Sequence, residues 1–396
     1  MINEKLLNNL YEELEEPNKS WVDQSIEKIV DIKKNNGNIV VVTGSGPNIH
    51  EGVTTLIAEL IDKGIIDGVT TSSAVINHEM AGALEKVHRV DGTKLGFDEE
   101  KLPLDKLVEA SLLPEKQLKM LKKEMQINED LINDILSEEG NTIIKAAGNM
   151  AYPLGLRTER LAREAESLAK ANSKPLEYVV GKGADPQTMI GAGAQKEIPV
   201  LVTVPQLIGG GAVGLAVGDS ISLTERSMRV AKMLDKADAI IESAVALTQE
   251  VHDGPFELYT GHGVWADHEG QWTFSLKDKS LIRIDLDPNL ARAWKQQRES
   301  NAVQEAIAKG LPKTKVTGVP FRMEMSGFSR LPGSIPIIED IGKIWPIIAY
   351  KVAEKLDIKL DFISYPQSTE DGQKMRKWIV NEVKPVDKKK MFAEFR

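Results

Sequence analysis

The sequence predicts an α/β protein: a Rossmann-like parallel sheet with helices on both faces. Short runs rich in β-branched residues recur along the chain, and segments with helical spacing separate them. Strands that are apolar on both faces must be buried on both sides, which is typical of parallel sheets between helical layers. The runs are "NIVVVT", "IDGVTTS", "EYVVG", "IPVLVTV", "ADAIIESA" and "LIRIDL". Helices are predicted between them, among others over about residues 50–63 and 77–88.

The pattern divides the chain into three parts. Residues 1–37 carry leucine and isoleucine at helical spacing on both sides of "EEPNKS", which predicts an N-terminal helical arm. Residues 38–330 hold the alternating strands and helices. Within them, a lysine- and glutamate-rich stretch over about 104–140 has no strand candidate, so we expect a helical insertion there. Residues 331–396 predict a C-terminal helix, from about 338 to 355, and a polar tail.

Composition excludes several classes of chemistry. The chain of 396 residues has no cysteine, so disulfides, thiolate nucleophiles and cysteine-ligated zinc are ruled out. A net charge of -9 disfavours a nucleic-acid partner, because it repels a phosphate backbone. The most apolar glycine-rich run, residues 207–218, is far short of the roughly 20 residues that span a bilayer. We therefore expect a cytoplasmic protein that binds neither nucleic acid nor membrane.

The first predicted strand runs into a glycine-rich turn. Its residues are Gly44, Ser45, Gly46, Pro47 and Asn48. Ligands of open parallel sheets bind beyond the carboxyl ends of the strands, and the N-terminus of a following helix favours a phosphate group. Because the spacing is not GxGxxG, a tight connection without a ligand is the alternative.

The second strand end carries "TTSSAVINHEM" over residues 70–80. Its candidate residues are Ser72, Ser73, His78 and Glu79. A histidine beside a carboxylate can transfer a proton near neutral pH. The alternative is that His78 lies in the first turn of a helix, where it is solvated or caps the helix.

Two further strand ends are rich in glycine or in acidic residues. "VTVPQLIGGGAVGLAVGD" places three glycines and then Asp219 after a buried strand, a segment that can approach a ligand, form a lid or simply pack closely. "LTQEVHDG" brings together Glu250, His252 and Asp253, and "GHGVWADHEGQW" adds more histidines and carboxylates. None of these residues has a recognised ligand spacing, so we expect no metal site.

The strand "LIRIDLDPN" ends in Asp285 and Asp287. An acidic residue at a strand end is the usual partner of ribose hydroxyls, which favours an adenosine moiety. Aspartate before proline also starts turns, so this interpretation has an alternative.

Taken in order, these strand ends resemble the deoxyhypusine-synthase-like NAD-binding superfamily, most closely the LOR/SDH conserved domain of NAD-dependent ornithine cyclodeaminases. The resemblance covers roughly residues 38–300. It places His78 and Glu79 on the family's histidine and aspartate, and it aligns Glu225 and Arg229 with an E-A-x-x-x-M-R-like helix. The segments that carry it are "TGSGP", "SSAVINHE", "IPVLVTV", "GGGAVG", "TERSMR" and "IDLDP". "KADAIIESAVALTQEVHDG" and "LIRIDLDPNL" are also similar to stretches of deoxyhypusine synthase.

The sequence departs from the family in two places. Phe274 stands where the lysine of the synthase W-G-K motif, which forms the covalent imine, would lie; Lys277 and Lys279 are the nearest lysines. Ser72 or Ser73 replaces the asparagine of the cyclodeaminase N-A-L motif. These departures disfavour deoxyhypusine synthesis and leave the substrate open.

The resemblance implies an NAD-dependent enzyme that oxidises an amine or amino acid to an imine, with return of the hydride as an option. In that interpretation His78 is the base, and Glu79, Asp219 and Asp253 are the carboxylates that bind the amine. Arg229 is the partner of a substrate carboxylate. The alternatives are a deoxyhypusine-synthase-like aminobutyl transferase and a non-catalytic ligand-binding homologue that has lost the catalytic lysine.

The resemblance also implies how the cofactor and partners are arranged. NAD is held by the glycine turn, by Ser72 and Ser73, and by Asp285 and Asp287. A small-molecule amine or amino acid is the substrate, and a homo-oligomer, either a dimer or a tetramer, is expected.

Overall fold

The computed structural model describes residues 2–44, 46–102, 104, 106–112, 114–138, 142–145, 154–203, 210–244, 279–285, 299–311 and 333–395. Their centre is a parallel sheet of six strands, which confirms the predicted Rossmann-like α/β class. Its strands are β1 (Ile39–Thr43), β2 (Gly68–Thr71), β6 (Val200–Val202), β7 (Ala239–Ser243), β8 (Ser280–Asp285) and β9 (Ile335–Ile338).

Helices cover both faces of this sheet, because its strands are apolar at consecutive positions. The helices before residue 150 are α1 (Glu4–Glu12), α2 (Asn18–Lys34), α3 (Pro47–His50), α4 (Val53–Asp62), α5 (Ser73–Ala81), α6 (Glu115–Leu121) and α7 (Glu129–Ser137). Those after it are α8 (Leu154–Asn172), α9 (Leu176–Gly181), α10 (Met189–Lys196), α11 (Gly211–Ser220), α12 (Leu223–Asp235), α13 (Asn301–Ala308), α14 (Ile341–Lys355), α15 (Glu370–Glu382) and α16 (Lys388–Ala393). On one face α12 packs over Val40, Val42 and Ile240; on the other, α2, α4, α10 and α14 form the larger core.

A second, antiparallel sheet lies between α5 and α8 in the chain. Its strands are β3 (Glu85–Asp91), β4 (Leu107–Leu112) and β5 (Thr142–Lys145), in the order β4-β3-β5. The prediction that about 104–140 is wholly helical is therefore wrong at β4, although α6 and α7 follow as helices. In β4, Glu109, Ala110 and Ser111 interrupt the apolar residues, so its strand character depends on pairing with β3 rather than on an apolar run.

Two other element predictions are corrected. The helix expected over about 77–88 is α5, which begins earlier because Ser72 caps it and ends at Gly82, whose φ of +105° terminates the helix. The predicted strand "EYVVG" is α9, whose buried residues Leu176, Val179 and Val180 have helical spacing.

The ends of the described chain pack onto this framework. The segment predicted as an N-terminal arm, residues 1–37, places α2 against β9 and α14, and α1 also packs against α14. The segment predicted as a polar tail forms α15 and α16, which bury Met375, Ile379 and Met391. The division of the chain into domains stays a prediction.

Candidate dinucleotide-binding crevice

The order of strands in the main sheet reverses between β1 and β7. The order is β6-β2-β1-β7-β8-β9, so β2 and β6 extend from one side of β1, whereas β7, β8 and β9 extend from the other. Counted along the chain within this sheet, the order is 3-2-1-4-5-6, that of dinucleotide-binding sheets. Ligands of such sheets bind outside the carboxyl ends of the strands at the point of reversal. We call the space beyond Thr43 of β1 and Ser243 of β7, which are paired in register, the carboxyl-edge crevice.

The glycine-rich turn opens onto this crevice. Gly44 is buried, Ser45 lies outside the described residues, and Pro47 is exposed at the start of α3. Gly46 has φ +68° and ψ -114°, a conformation that residues with a side chain rarely adopt. A Cβ atom on Gly46 would meet no atom within 4 Å, so the backbone there faces open space.

Asn48 ties the turn to the neighbouring strand. Its Nδ2 donates to the Ser243 carbonyl at 3.3 Å, and its Oδ1 accepts from the Ser243 hydroxyl at 2.5 Å. The indole N–H of Trp345 in α14 donates to the same hydroxyl at 2.8 Å. The Asn48 side chain is fully buried, and both of its amide atoms are used in the bonds to Ser243. The predicted contact of Asn48 with a cofactor would therefore be made by its backbone.

Hydroxyl groups mark the ends of β1 and β2. Ser72 is the N-cap of α5, where its Oγ accepts from the Val75 N–H at 3.4 Å, and Ser73 is fully buried as the first residue of that helix. Thr43 Oγ1 and Thr71 Oγ1 are buried without a hydrogen-bond partner. A buried hydroxyl without a partner costs free energy, and a ligand in the crevice can supply that partner.

A buried charge cluster lies near the carboxyl ends of β7 and β8. Arg283 of β8 lies with its Nη1 3.8 Å from Glu242 Oε2 of β7 and its Nε 3.7 Å from Asp285 Oδ2. Because side chains alternate along a strand, Arg283 and Asp285 share the α12 face of the sheet. Asp285, a predicted cofactor ligand, is buried at the carboxyl end of β8, which is two strands away from β1 and its glycine turn. Asp287 lies outside the described residues.

His78 is a buried residue of α5. Its side chain is 1% exposed, and neither Nδ1 nor Nε2 has a hydrogen-bond partner. Burial, with a smaller contribution from His50, lowers the pKa of His78 to about 4. A neutral imidazole at pH 7 can accept a proton, but one with this pKa is a weak base.

Glu79 caps a helix in this structure, and its role as an amine-binding carboxylate stays a prediction. Its Oε1 accepts from the Met189 N–H at 2.8 Å and its Oε2 from the Ile190 N–H at 3.0 Å, so both oxygens cap the first turn of α10. Burial raises the pKa of Glu79 to about 7. The fully buried carboxyl group is not available to a substrate in this conformation.

Asp219 and Arg229 also lie away from the crevice. Asp219 is exposed at the end of α11, where it interacts electrostatically with Lys170 of α8. Arg229 is ion-paired with Glu225 and lies by a groove at the amino ends of the strands, next to Asn38. Asp219 was predicted because it follows a glycine-rich strand end, and Arg229 because of the alignment with the family, but α11 and α12 carry both residues back along the sheet. Asp253 lies outside the described residues, as do Phe274 and Lys277.

One buried pair was missed from the sequence. Arg226 and Glu177 are both fully buried and ion-paired, and Glu177 Oε1 also accepts from the Val202 N–H at 2.7 Å. Arg226 shares the buried face of α12 with Val230 and Leu234, at intervals of four residues. This spacing in the sequence indicates that Arg226 lies on the buried face of a helix. The prediction overlooked it because the family alignment pointed to Arg229 instead.

Two kinds of feature, a metal-binding cluster and a membrane-spanning helix, are absent from the described residues. No group of three or more histidine or acidic residues is placed to hold a metal ion. Among the helices that the structure describes, none combines the length and apolarity needed to cross a bilayer.

No family model matches the chain, and no curated protein matches it. Among solved structures, apo ArgZ, a cyanobacterial arginine dihydrolase of the ornithine-ammonia cycle, is 12% identical over 84% of this chain and 31% of its own, with a TM-score of 0.41. A putative LOR/SDH protein from Methanococcus maripaludis S2 is 10% identical over 87% of this chain and 70% of its own, with a TM-score of 0.41. AgrE bound to ornithine and NAD+ is 12% identical over 89% of this chain and 34% of its own, with a TM-score of 0.39.

The chain thus spans about a third of the length of ArgZ and AgrE. At such identities and TM-scores, function is inferred from the geometry of the chain itself. The resemblance to deoxyhypusine synthase stays a prediction.

Proposed function

We propose that the protein binds NAD in the carboxyl-edge crevice and is an NAD-dependent enzyme acting on an amine or amino acid. The observation that carries the proposal is the reversal of strand order between β1 and β7, with a glycine turn in an unusual backbone conformation at that point. NAD, when bound, supplies the hydride acceptor that oxidation of a carbon bearing an amine requires.

The residues of the crevice fit such a ligand. Gly46 leaves room for a phosphate group against the backbone, and the orphaned hydroxyls of Thr43 and Thr71 lie at the ends of the two strands beside it. The charge cluster contains two carboxylates, Glu242 and Asp285, against one guanidinium. A carboxylate at the carboxyl end of a strand, as Asp285 is, is the usual partner of a ribose hydroxyl.

Gly46→Ala tests the binding site. Alanine at this position must adopt a strained backbone conformation, which costs about 1–3 kcal/mol, or shift the turn. Its Cβ atom would also occupy the open space in front of the backbone. We expect the Kd for NAD, measured by isothermal titration calorimetry, to rise at least tenfold.

Gly64→Ala is the matched control. Gly64 also has a positive φ, +72°, and open space around its Cβ position, but it lies between α4 and β2 at the opposite edge of the sheet. Both variants should lose similar stability, and only Gly46→Ala should lose NAD. Equal Kd values for Gly46→Ala and the unmodified chain would refute the proposed site, as would the failure of the unmodified chain to bind NAD.

A non-catalytic ligand-binding protein is the second candidate. Both carboxylate oxygens of Glu79 accept bonds from the backbone of α10, and Arg229 is paired with Glu225 away from the crevice. These observations favour the second candidate, because they leave two of the predicted catalytic groups without a contact to the crevice. Incubation of the protein with NAD and a panel of ornithine, other amino acids and polyamines separates the two. Appearance of NADH or of a deaminated product supports the enzyme, whereas NAD binding without turnover supports the binding protein.

A further inference from the structure

A groove lies at the amino ends of β1, β2 and β6, on the opposite edge of the sheet from the crevice. It has a volume of about 450 Å³ and runs between α12 on one side and α9 and α10 on the other. We call it the amino-edge groove. Its size falls within the range of sites that bind small molecules.

The floor of the amino-edge groove is apolar. Val40, Leu201 and Met233 line it, and the ring of Tyr178 forms part of one wall. Val40, Leu201 and Met233 belong to the smaller core under α12, so their positions are fixed by packing. A ligand whose apolar part covers this rigid floor is stabilised there, because apolar surface is removed from water.

The rim of the amino-edge groove is cationic. Lys174, Arg229, Lys232 and Lys236 line it, together with two acidic residues: Asp67, which is paired with Lys33 at 2.9 Å, and the exposed Glu197. Glu177, deeper in the wall, is paired with Arg226.

Lys232 and Lys236 make no ion pair among the residues that the structure describes. Lys232 lies in the last turn of α12, Lys236 follows four residues later as its C-cap, and both are exposed. Lysines near a helix C-terminus also offset its dipole, but that dipole corresponds to only about half a charge. In a chain with a net charge of -9, these two lysines form a local excess of positive charge that is complementary to an anion.

We propose that the amino-edge groove binds a small organic anion. Its apolar body lies on the floor formed by Val40, Leu201 and Met233, and its carboxylate or sulfonate group faces Lys232 and Lys236. Arg229, held in place by Glu225 and by a bond of 3.2 Å from its Nη2 to the Ser173 carbonyl, lies on the same rim. The site is separate from the carboxyl-edge crevice and does not depend on NAD binding.

The test uses the full chain and the fluorescent probe 1-anilinonaphthalene-8-sulfonate, a small aromatic sulfonate. The probe is titrated in the presence of saturating NAD, so that a dinucleotide site cannot contribute. We expect one probe to bind per chain, with an affinity that falls as salt is added, because exposed charges are screened.

Three variants locate the bound probe. Lys232→Glu/Lys236→Glu should raise its Kd at least tenfold, and Lys232→Met/Lys236→Met, which keeps the apolar stems, should raise it severalfold. Lys389→Glu/Lys390→Glu makes the same change in net charge on exposed residues of α16 and should leave the Kd within twofold. Equal Kd values for Lys232→Glu/Lys236→Glu and the unmodified chain would overturn the proposal, as would the absence of binding in saturating NAD.

Discussion

At the scale of single residues, the buried histidine of α5 makes the protein sensitive to acid. His78 has a pKa of about 4 in the folded chain, below its ordinary value of 6.5, chiefly because burial disfavours the charged ring. Between these pH values the unfolded chain binds a proton that the folded chain does not. The contribution of His78 to the free energy of unfolding therefore falls as the pH drops from about 6.5 to about 4 and stays level below that. The contribution of Glu79, whose pKa is raised to about 7, has the opposite sign and rises as the pH drops from about 7 to about 4.5.

His78→Leu should remove the contribution of His78 to the pH dependence. The shift corresponds to about 3 kcal/mol between the two ends of the range. At pH 7 the variant should be at least as stable as the unmodified chain, because neither ring nitrogen forms a bond that would be lost. Urea unfolding at about pH 7 and about pH 4.5 measures both effects.

His50→Leu is the comparison for that experiment. Burial and Arg376 also lower the pKa of His50 to about 4, but this ring is only partly buried, so its contribution should be smaller. Identical pH profiles for His78→Leu and the unmodified chain would show that His78 is not the acid-sensitive group.

At the scale of elements, the buried pair of Arg226 and Glu177 joins three helices to the end of β6. Arg226 Nη2 donates to the Val217 carbonyl at 2.7 Å and Nη1 to the Val202 carbonyl at 3.2 Å, while Glu177 extends from α9. Removal of one partner leaves an uncompensated charge in the interior.

Arg226→Met should therefore destabilise the fold by about 3–5 kcal/mol in chemical unfolding. Arg229→Met is the matched control. It removes the same type of side chain from the same helix, three residues later, but the ion pair that it breaks, with Glu225, is accessible to solvent. We expect it to cost less than about 1 kcal/mol. Similar losses in the two variants would contradict the assignment of Arg226, rather than Arg229, as the structurally important arginine.

Five of the six strands of the main sheet could be predicted from the sequence because they are short runs rich in β-branched residues between helices. β9 (Ile335–Ile338) lies in a segment rich in proline and glycine, and its burial alternates, so it lacked that signal. "EYVVG" was misjudged because its residue types suit strands, whereas its buried positions follow a helical period. Where residue type and spacing disagree, packing decides the outcome.

The candidate site could be predicted only in part. The glycine turn and Asp285 lie at carboxyl ends because position along a strand determines the edge of the sheet. Glu79 and Arg229 do not contact the crevice because their orientation depends on where α10 and Glu225 lie, which spacing does not encode.

At the scale of the whole molecule, the C-terminal segment holds together parts that are distant in sequence. The Val386 N–H donates to the Met80 carbonyl of α5 at 3.0 Å, and the Asp387 N–H donates to the Gly183 carbonyl at 2.8 Å. Val386 and Met391 are fully buried against the larger core. The segment therefore supports α5, the helix that begins at the carboxyl-edge crevice.

Deletion of residues 384–396 should lower the free energy of unfolding by about 3–6 kcal/mol. Burial of side chains such as Val386 and Met391 contributes about 1.5–3 kcal/mol each, and the two backbone bonds to Met80 and Gly183 are lost with them. Met391→Ala should reproduce about 2–5 kcal/mol of this, because it leaves a cavity, whereas Lys389→Ala on the exposed side of α16 should change little. Thermal and urea unfolding of the four proteins measure the differences. If the shortened chain unfolded at the same midpoint as the full one, the segment would be a solvated tail, as the sequence predicts, and α5 would owe its position to contacts with α8, α10 and α11 alone.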